Sequence, residues 1–241
     1  MEGIASLPQL HPAELGAVVV IAPHPDDESI GCGGLIALLR RLGQPVHVLL
    51  LSDGAQSHPR SVRWPRPARV RLRLAEFHAA LRALGVEAHH AQALQWPDGA
   101  LPDAGGAGFD AAVEEIEGCL VALAPSTLLV PWRRDPHPDH RAASAIARAA
   151  NAALARPARL LEYPIWTAER GTDAEFPTLD EATRWRLDVA AVGKSKLKAI
   201  AAHRSQLGGL IDDDPGGFVL PPAMLARCAQ SFETFYEVKP A

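Results

Sequence analysis

Two short segments concentrate residues able to bind a metal and move protons: His24-Pro25-Asp26-Asp27-Glu28 and His137-Pro138-Asp139-His140. Each lies a few residues after an apolar run, VVVIA at 18–22 or TLLV at 127–130, and just before a segment of helical period. Proline suits the first position of a helix, where its missing N–H costs nothing, so Pro25 and Pro138 are expected there. The acids then fall in the first turn, where the positive end of the helix dipole favours a carboxylate. Taken singly, such acids can be simple helix-start charge, and such histidines can be partly exposed loop residues. Taken together, two imidazoles and one carboxylate can supply three ligands to zinc and leave a position open for water. No cysteine stands beside both segments to close the site with a fourth strong ligand, so a catalytic centre is the expectation.

The elements that must position these segments are legible as apolar runs of strand length alternating with helical periods. Strands are expected over 18–22, 46–51, 87–94, 127–130 and 159–166, and helices over 35–42, 70–84, 109–123, 139–154 and 194–206. Continuous apolar strands separated by helices imply a mainly parallel sheet covered on both faces. The expected architecture is therefore α/β: a single Rossmann-like domain over residues 1–241, with helices on both faces of the sheet. A strand order of 3-2-1-4 would make VVVIA and TLLV neighbours, and both segments would face the crevice at the strands' carboxyl ends. Gly31, Gly33 and Gly34 would let the first helix approach the sheet closely. Beyond about residue 206 the sequence shows no topology.

Composition narrows the function classes. A net charge of −4 gives no reason to expect nucleic acid. The arginines between 60 and 73 are interrupted by prolines and read as a solvated face or an anion contact. Cys32, Cys119 and Cys228 form neither a disulfide framework nor a CxxC metal pair. The first residues do not resemble a secretory signal, and no apolar stretch has the length of a membrane span. A soluble cytoplasmic protein is expected.

APHPDDESIGCGG near the N-terminus and DPHPDH near the middle resemble the paired signatures of the PIG-L/LmbE-like zinc N-deacetylases. Further similarity runs through Arg73-Leu-Ala-Glu76, Trp96-Pro-Asp98-Gly99 and the segment 196–206. The resemblance implies Zn2+ held by His24, Asp27 and His140, with Asp26 as general base. It further implies that His137 faces the tetrahedral intermediate as an imidazolium, with Asp139 orienting its ring. Such a site removes an acetyl or other acyl group from an amide nitrogen, for which N-acetylglucosamine-containing small molecules are the commonest substrates. An amidase acting on a larger conjugate would use the same ligands.

Arg73 and Asp98 match positions that contact sugar hydroxyls in such enzymes, although a solvated helix face and a Pro-Asp-Gly turn would also account for them. Asp53 is expected to close an Asx-turn. Glu28 is expected to support the site without binding metal, and His203 to approach it from the lid side. His89 and His90 are expected in an edge strand, pointing to opposite faces. Trp132 is expected either to wall the pocket or to pack in the core. A nucleotide-binding reading founded on Gly31-Cys-Gly33-Gly34 is poor, because His-Pro-Asp-Asp-Glu stands where the tight glycine turn should be.

Overall fold

Strand β1 (Val18–Ala22) is apolar at every position because both of its faces are buried. Val18, Val20 and Ala22 pack into one hydrophobic layer and Val19 and Ile21 into the other, the alternation that strand geometry imposes. Parallel neighbours flank β1: β2 (Val46–Ser52) on one side and β4 (Thr127–Pro131) on the other. Strand β3 (Ala91–Trp96) extends the sheet beyond β2, and β5 (Arg159–Tyr163) beyond β4. Two strands that the sequence does not announce, β6 (Ala182–Asp188) and β7 (Phe232–Val238), add an antiparallel edge. The computed structural model describes residues 7–239, and its seven-stranded sheet has the order β3-β2-β1-β4-β5-β7-β6. The expected 3-2-1-4 arrangement is present, so the crevice at the carboxyl ends lies between β1 and β4.

Helices α1 (Asp27–Arg41), α2 (Arg66–Ala83), α6 (Gly193–Ala202) and α7 (Pro222–Cys228) cover one face, contributing Leu35, Phe77, Ile200 and Met224 to its core. Helices α3 (Phe109–Leu123) and α4 (Pro138–Ala153) cover the other with Ile116, Leu120, Ile146 and Ala147. A four-residue helix, α5 (Thr167–Arg170), follows β5. Among the described residues no helix is long and apolar enough to cross a membrane.

The structure departs from expectation where long-range contacts override the local pattern. Helix α1 begins at Asp27, eight residues before the expected start at 35, and is interrupted at Cys32 (φ −144°, ψ 20°). The interruption leaves the backbone N–H groups of Gly34 and Leu35 free, and both donate to the Glu233 carboxylate of β7, at 2.7 and 2.9 Å. Lys196 of α6 donates to the same carboxylate at 2.8 Å. The expected close approach to the sheet holds at Gly31, where a Cβ would lie 2.3 Å from the Tyr163 ring; one on Gly34 would lie 2.5 Å from Val189, just past β6, and one on Gly33 would first meet Lys196 of α6, at 3.4 Å. Strand β3 begins later than expected because residues 88–90 form a 3-10 turn, which places His89 and His90 ahead of the strand. Strand β5 ends at Tyr163 rather than 166, since the Asp135 carboxylate takes the N–H groups of Ile165 and Trp166. Helix α6 stops at Ala202, and Glu76 holds the following turn by accepting from the Ser205 backbone at 2.7 Å and its hydroxyl at 2.6 Å.

Glu233 and Lys196 are both buried, so removing one partner strands the other's charge. Glu233→Gln should cost about 3–5 kcal/mol by denaturant titration. Adding Lys196→Met should recover part of that loss. A Glu233→Gln variant as stable as the parent would show that the carboxylate is not what holds the broken helix.

Candidate active site and metal centre

The chain leaving β1 reaches the crevice through Pro23 and His24 and enters α1 through Asp26. Pro25 is not the first helical residue as expected; Asp26 is the N-cap, with φ 138° and ψ −24°. That backbone region is unfavourable for an L-residue and is found where surrounding structure enforces it. Here the Asp26 N–H donates to Glu28 Oε2 at 3.1 Å, and its carbonyl accepts from Ser29 and Ile30, both at 2.9 Å. Glu28, fully buried, also lies 3.2 Å from His203 Nε2. Glu28 and His203 thus support the strained corner rather than the pocket surface. At the second segment Pro138 does open α4, and His137 is its N-cap.

These corners bring three donor atoms together. His24 Nδ1 lies 3.1 Å from Asp27 Oδ2 and 3.3 Å from His140 Nε2, and the last two are 3.2 Å apart. A tetrahedral ion bound at roughly 2.0–2.1 Å separates its ligands by about 3.3 Å, so this triangle fits one face of a zinc coordination sphere. His137 is also close, and the imidazoles of His24, His137 and His140 can bring one nitrogen each within 4.8 Å of the others. The triangle containing Asp27 is tighter, and His137 Nδ1 is already engaged, accepting from the Asp139 backbone at 3.2 Å.

Carboxylates occupy the outer nitrogens of both candidate ligands, the arrangement that fixes ring orientation and raises ligand basicity. His24 Nε2 meets Asp139 Oδ2 at 3.1 Å and Asp98 Oδ1 at 3.3 Å. His140 Nδ1 meets Asp135 Oδ1 at 3.1 Å. Asp135 was missed in the sequence, although it opens the DPHPDH segment. Completely buried, it also accepts from the backbone of His137, Ile165 and Trp166.

Three of these residues have partners that the sequence does not specify. Asp139 orients His24, not His137: its carboxylate accepts from the Gly99 N–H at 2.8 Å as well as meeting His24, and only its backbone reaches the His137 ring. Asp98 is likewise turned toward His24, with Oδ2 accepting from the Gln56 N–H at 2.7 Å. Arg73 is buried, and donates to the Pro25 carbonyl and, at 3.2 Å, to Asp26 Oδ2. Asp98 and Arg73 still line the pocket, so contact with a substrate is open to both. Asp53 makes the expected Asx-turn with the Ala55 N–H at 3.0 Å. Trp132 belongs to the core against Tyr236, and Trp166 and Phe218 are aromatics of the pocket wall.

The electrostatics follow from packing so many acids together. Burial opposes charge on His140, but Asp27 and Asp135 outweigh it and lift its pKa to about 9. Burial opposes charge on His24 as well, yet its bonds to Asp139, Asp27 and Asp98 raise it well above the usual value. Burial disfavours the Asp27 anion, but the two imidazoles win and hold it well below the carboxylate range. The cluster therefore demands positive charge, which a divalent cation would supply in place of protons. Burial raises Asp26 to about 6 despite the Arg73 guanidinium, with the Asp27 charge adding to the rise. His137 is pushed down to about 4 by burial and by His140 and His24. Burial and the two neighbouring imidazoles thus disfavour charge on its ring. With Nδ1 accepting, its proton sits on Nε2.

Ile30, Ile165, Trp166, Phe218 and Leu220 wall the pocket, and Gln56, Arg170 and Gln206 add polar groups. Residues 19–151, more than half of the chain, match the family model described as PIG-L: GlcNAc-PI de-N-acetylase. A Bacillus cereus protein described as a probable N-acetyl-alpha-D-glucosaminyl L-malate deacetylase 2 is 28% identical over 204 residues, covering 81% of this chain and 86% of its own. A Rhodococcus erythropolis 1D-myo-inositol 2-acetamido-2-deoxy-alpha-D-glucopyranoside deacetylase is 28% identical over 244 residues, covering 79% and 81%. The solved structure of N,N'-diacetylchitobiose deacetylase from Pyrococcus horikoshii shares the fold, with a TM-score of 0.69 at 21% identity, over 99% of this chain and 89% of that one. Together with the two histidine-and-aspartate corners at the β1–β4 crevice, the family match is decisive: this chain belongs to the PIG-L family of GlcNAc-PI de-N-acetylases.

Proposed function

We propose that this protein is a zinc-dependent hydrolase that removes the acetyl group from the amide nitrogen of an N-acetylglucosamine-containing small molecule. The observation that carries the reading is the 3.1–3.3 Å triangle of His24, Asp27 and His140 with Asp26 beside it but outside it. Both curated relatives above are named for deacetylation of a glucosaminyl compound. The three thiols are free, which supports a reducing compartment, the cytoplasm.

Zinc bound by His24, Asp27 and His140 would supply Lewis acidity to the amide carbonyl and acidify a water. The remaining work belongs to the chain. Asp26 faces the pocket and accepts the proton of the attacking water; its raised pKa suits a base that later returns a proton to the departing amine. Arg73 fixes the Asp26 carboxylate, and Glu28 fixes its backbone. His137 presents Nε2–H to the carbonyl oxygen as negative charge develops, where a preorganised donor is worth several kcal/mol. Asp98 and Asp139 hold His24, and Asp135 holds His140.

Purified zinc-loaded protein offered a panel of N-acetylglucosaminides should release free amine and acetate, and stripping the metal with a chelator should abolish the release. Survival of turnover after complete metal removal would overturn the reading. Asp26→Asn should keep the metal and lower kcat by about 10²–10⁴-fold, whereas His140→Ala should lose metal and turnover together. Asp135→Asn, compared with wild type at a temperature where circular dichroism shows both folded, should weaken metal affinity about 10–100-fold in a chelator competition; unchanged affinity would remove Asp135 from the metal's support.

A further inference from the structure

The pocket has two unlike walls. Gln56, Ser57, Arg73 and Asp98 form a polar one, carried by the segment after β2, by α2 and by the loop after β3. Ile30, Ile165, Trp166, Phe218 and Leu220 form the other, carried by α1, by the segment after β5 and by the residues ahead of α7. Four of these five are buried in one hydrophobic cluster and Phe218 packs against it, edge-on to Trp166 with ring centroids 5.7 Å apart. This apolar wall starts beside the reacting centre. Ile30 stands one helical turn after Asp26 and Asp27 and so shares their side of α1. The Ile165 N–H donates to Asp135, the carboxylate that holds His140. The wall ends at Arg170, whose guanidinium lies 3.8 Å from the Trp166 ring centroid.

A trans amide sends its two substituents in opposite directions from the C–N bond. With the carbonyl at the triangle of His24, Asp27 and His140, the hydroxyl-bearing amine half matches the polar wall, and the acyl chain runs along the apolar one. An acetyl group brings a single methyl to five apolar side chains. Removing apolar surface from water is favourable in proportion to its area, so a longer chain gains contacts that acetyl cannot make. We infer that the site accepts N-acyl groups longer than acetyl, short saturated chains lying against this wall, and binds them more tightly than acetyl. The inference rests on the amide-hydrolase reading above and names the acyl half of its substrate. The chemistry is unchanged by chain length. Water adds its oxygen to the acyl carbon and the C–N bond breaks; the chain leaves as a carboxylate, and the amine leaves as an ammonium carrying both protons of the water.

The test compares the N-acetyl, N-propionyl, N-butyryl and N-hexanoyl forms of one methyl glucosaminide on zinc-loaded protein. The value of kcat/KM should rise about fourfold for each added methylene until the chain passes the wall. The gain should appear as a lower KM at nearly constant kcat, because the wall touches ground state and transition state alike. In calorimetry, hexanoate should bind the zinc-loaded protein more than about tenfold more tightly than acetate. Phe218 is half-buried, and its backbone N–H donates to the Ser57 carbonyl at 2.6 Å, a bond that Phe218→Ser keeps. That substitution should cut the hexanoyl-to-acetyl ratio of kcat/KM about tenfold, and Leu220→Ala should cut it too. A ratio that survives both substitutions would place the chain elsewhere and overturn the inference. So would a hexyl glycoside of the N-acetyl compound that gains as much as the hexanoyl amide, since the wall would then belong to the aglycone. Tighter binding of hexanoate with no cleavage of any N-acyl compound would sink the hydrolase reading and leave the apolar subsite standing. Cleavage of the acetyl compound with no gain along the series, in rate or in binding, would sink the subsite alone.

Discussion

Burying carboxylates without losing the fold is the constraint around which this molecule is organised. Asp26, Asp27, Asp135, Asp139 and Glu28 are all nearly or wholly removed from solvent at the carboxyl ends of β1 and β4. An unpaired buried charge is expensive, and one that is paired and hydrogen-bonded is tolerated. Each acid here has an assigned partner: His24 and His140 for Asp27, His140 for Asp135, His24 for Asp139, His203 for Glu28 and Arg73 for Asp26. The imidazoles of His24 and His140 are thereby held between carboxylates, with at least one on each ring nitrogen. That geometry turns them into oriented ligands, and it leaves the cluster in need of a cation.

The same constraint separates two adjacent, chemically identical side chains. Asp27 lies between the imidazoles and is held ionised. Asp26 is turned away by a positive φ, faces the pocket, and keeps a pKa near the working range of a base. The turn is affordable because Glu28 and Arg73 grip Asp26 from backbone and side chain at once. Further along α1, a second break at Cys32 is stabilised by Glu233 and Lys196 from elements more than 150 residues away. The helix that presents the site is thus anchored at both interruptions by buried charge.

Much of the central sheet was legible because parallel strands buried on both faces read as continuous apolar runs; β1, β2 and β4 lie within a residue of where the sequence places them. The His-Pro-Asp segments were legible too, since few other reasons bring two imidazoles and several acids to two strand ends. The antiparallel edge was not. In β6 only Ala182 and Leu187 are buried, with four half-buried residues between them, so the period-2 pattern is weak. The early start of α1 was hidden by its glycines, which lower helix propensity and are required by contacts with Tyr163 and Val189.

By itself, then, the sequence determined that the two corner segments follow strands; the order β2-β1-β4, which brings them to one crevice, is a property of the sheet. Nor did the sequence determine which atom faces which. Asp139 stands beside His137 in the chain but serves His24, because the α4 N-terminus turns its carboxylate across the crevice toward the Gly99 loop. Asp135, five residues before His140, orients it because the chain doubles back between β4 and α4. Charge on His137 is disfavoured by burial and by the imidazoles of His140 and His24, which outweigh Asp27 and Asp139. Charge state and hydrogen-bond direction depend on distances of about 3 Å between atoms far apart in the chain, and only the packed structure sets those.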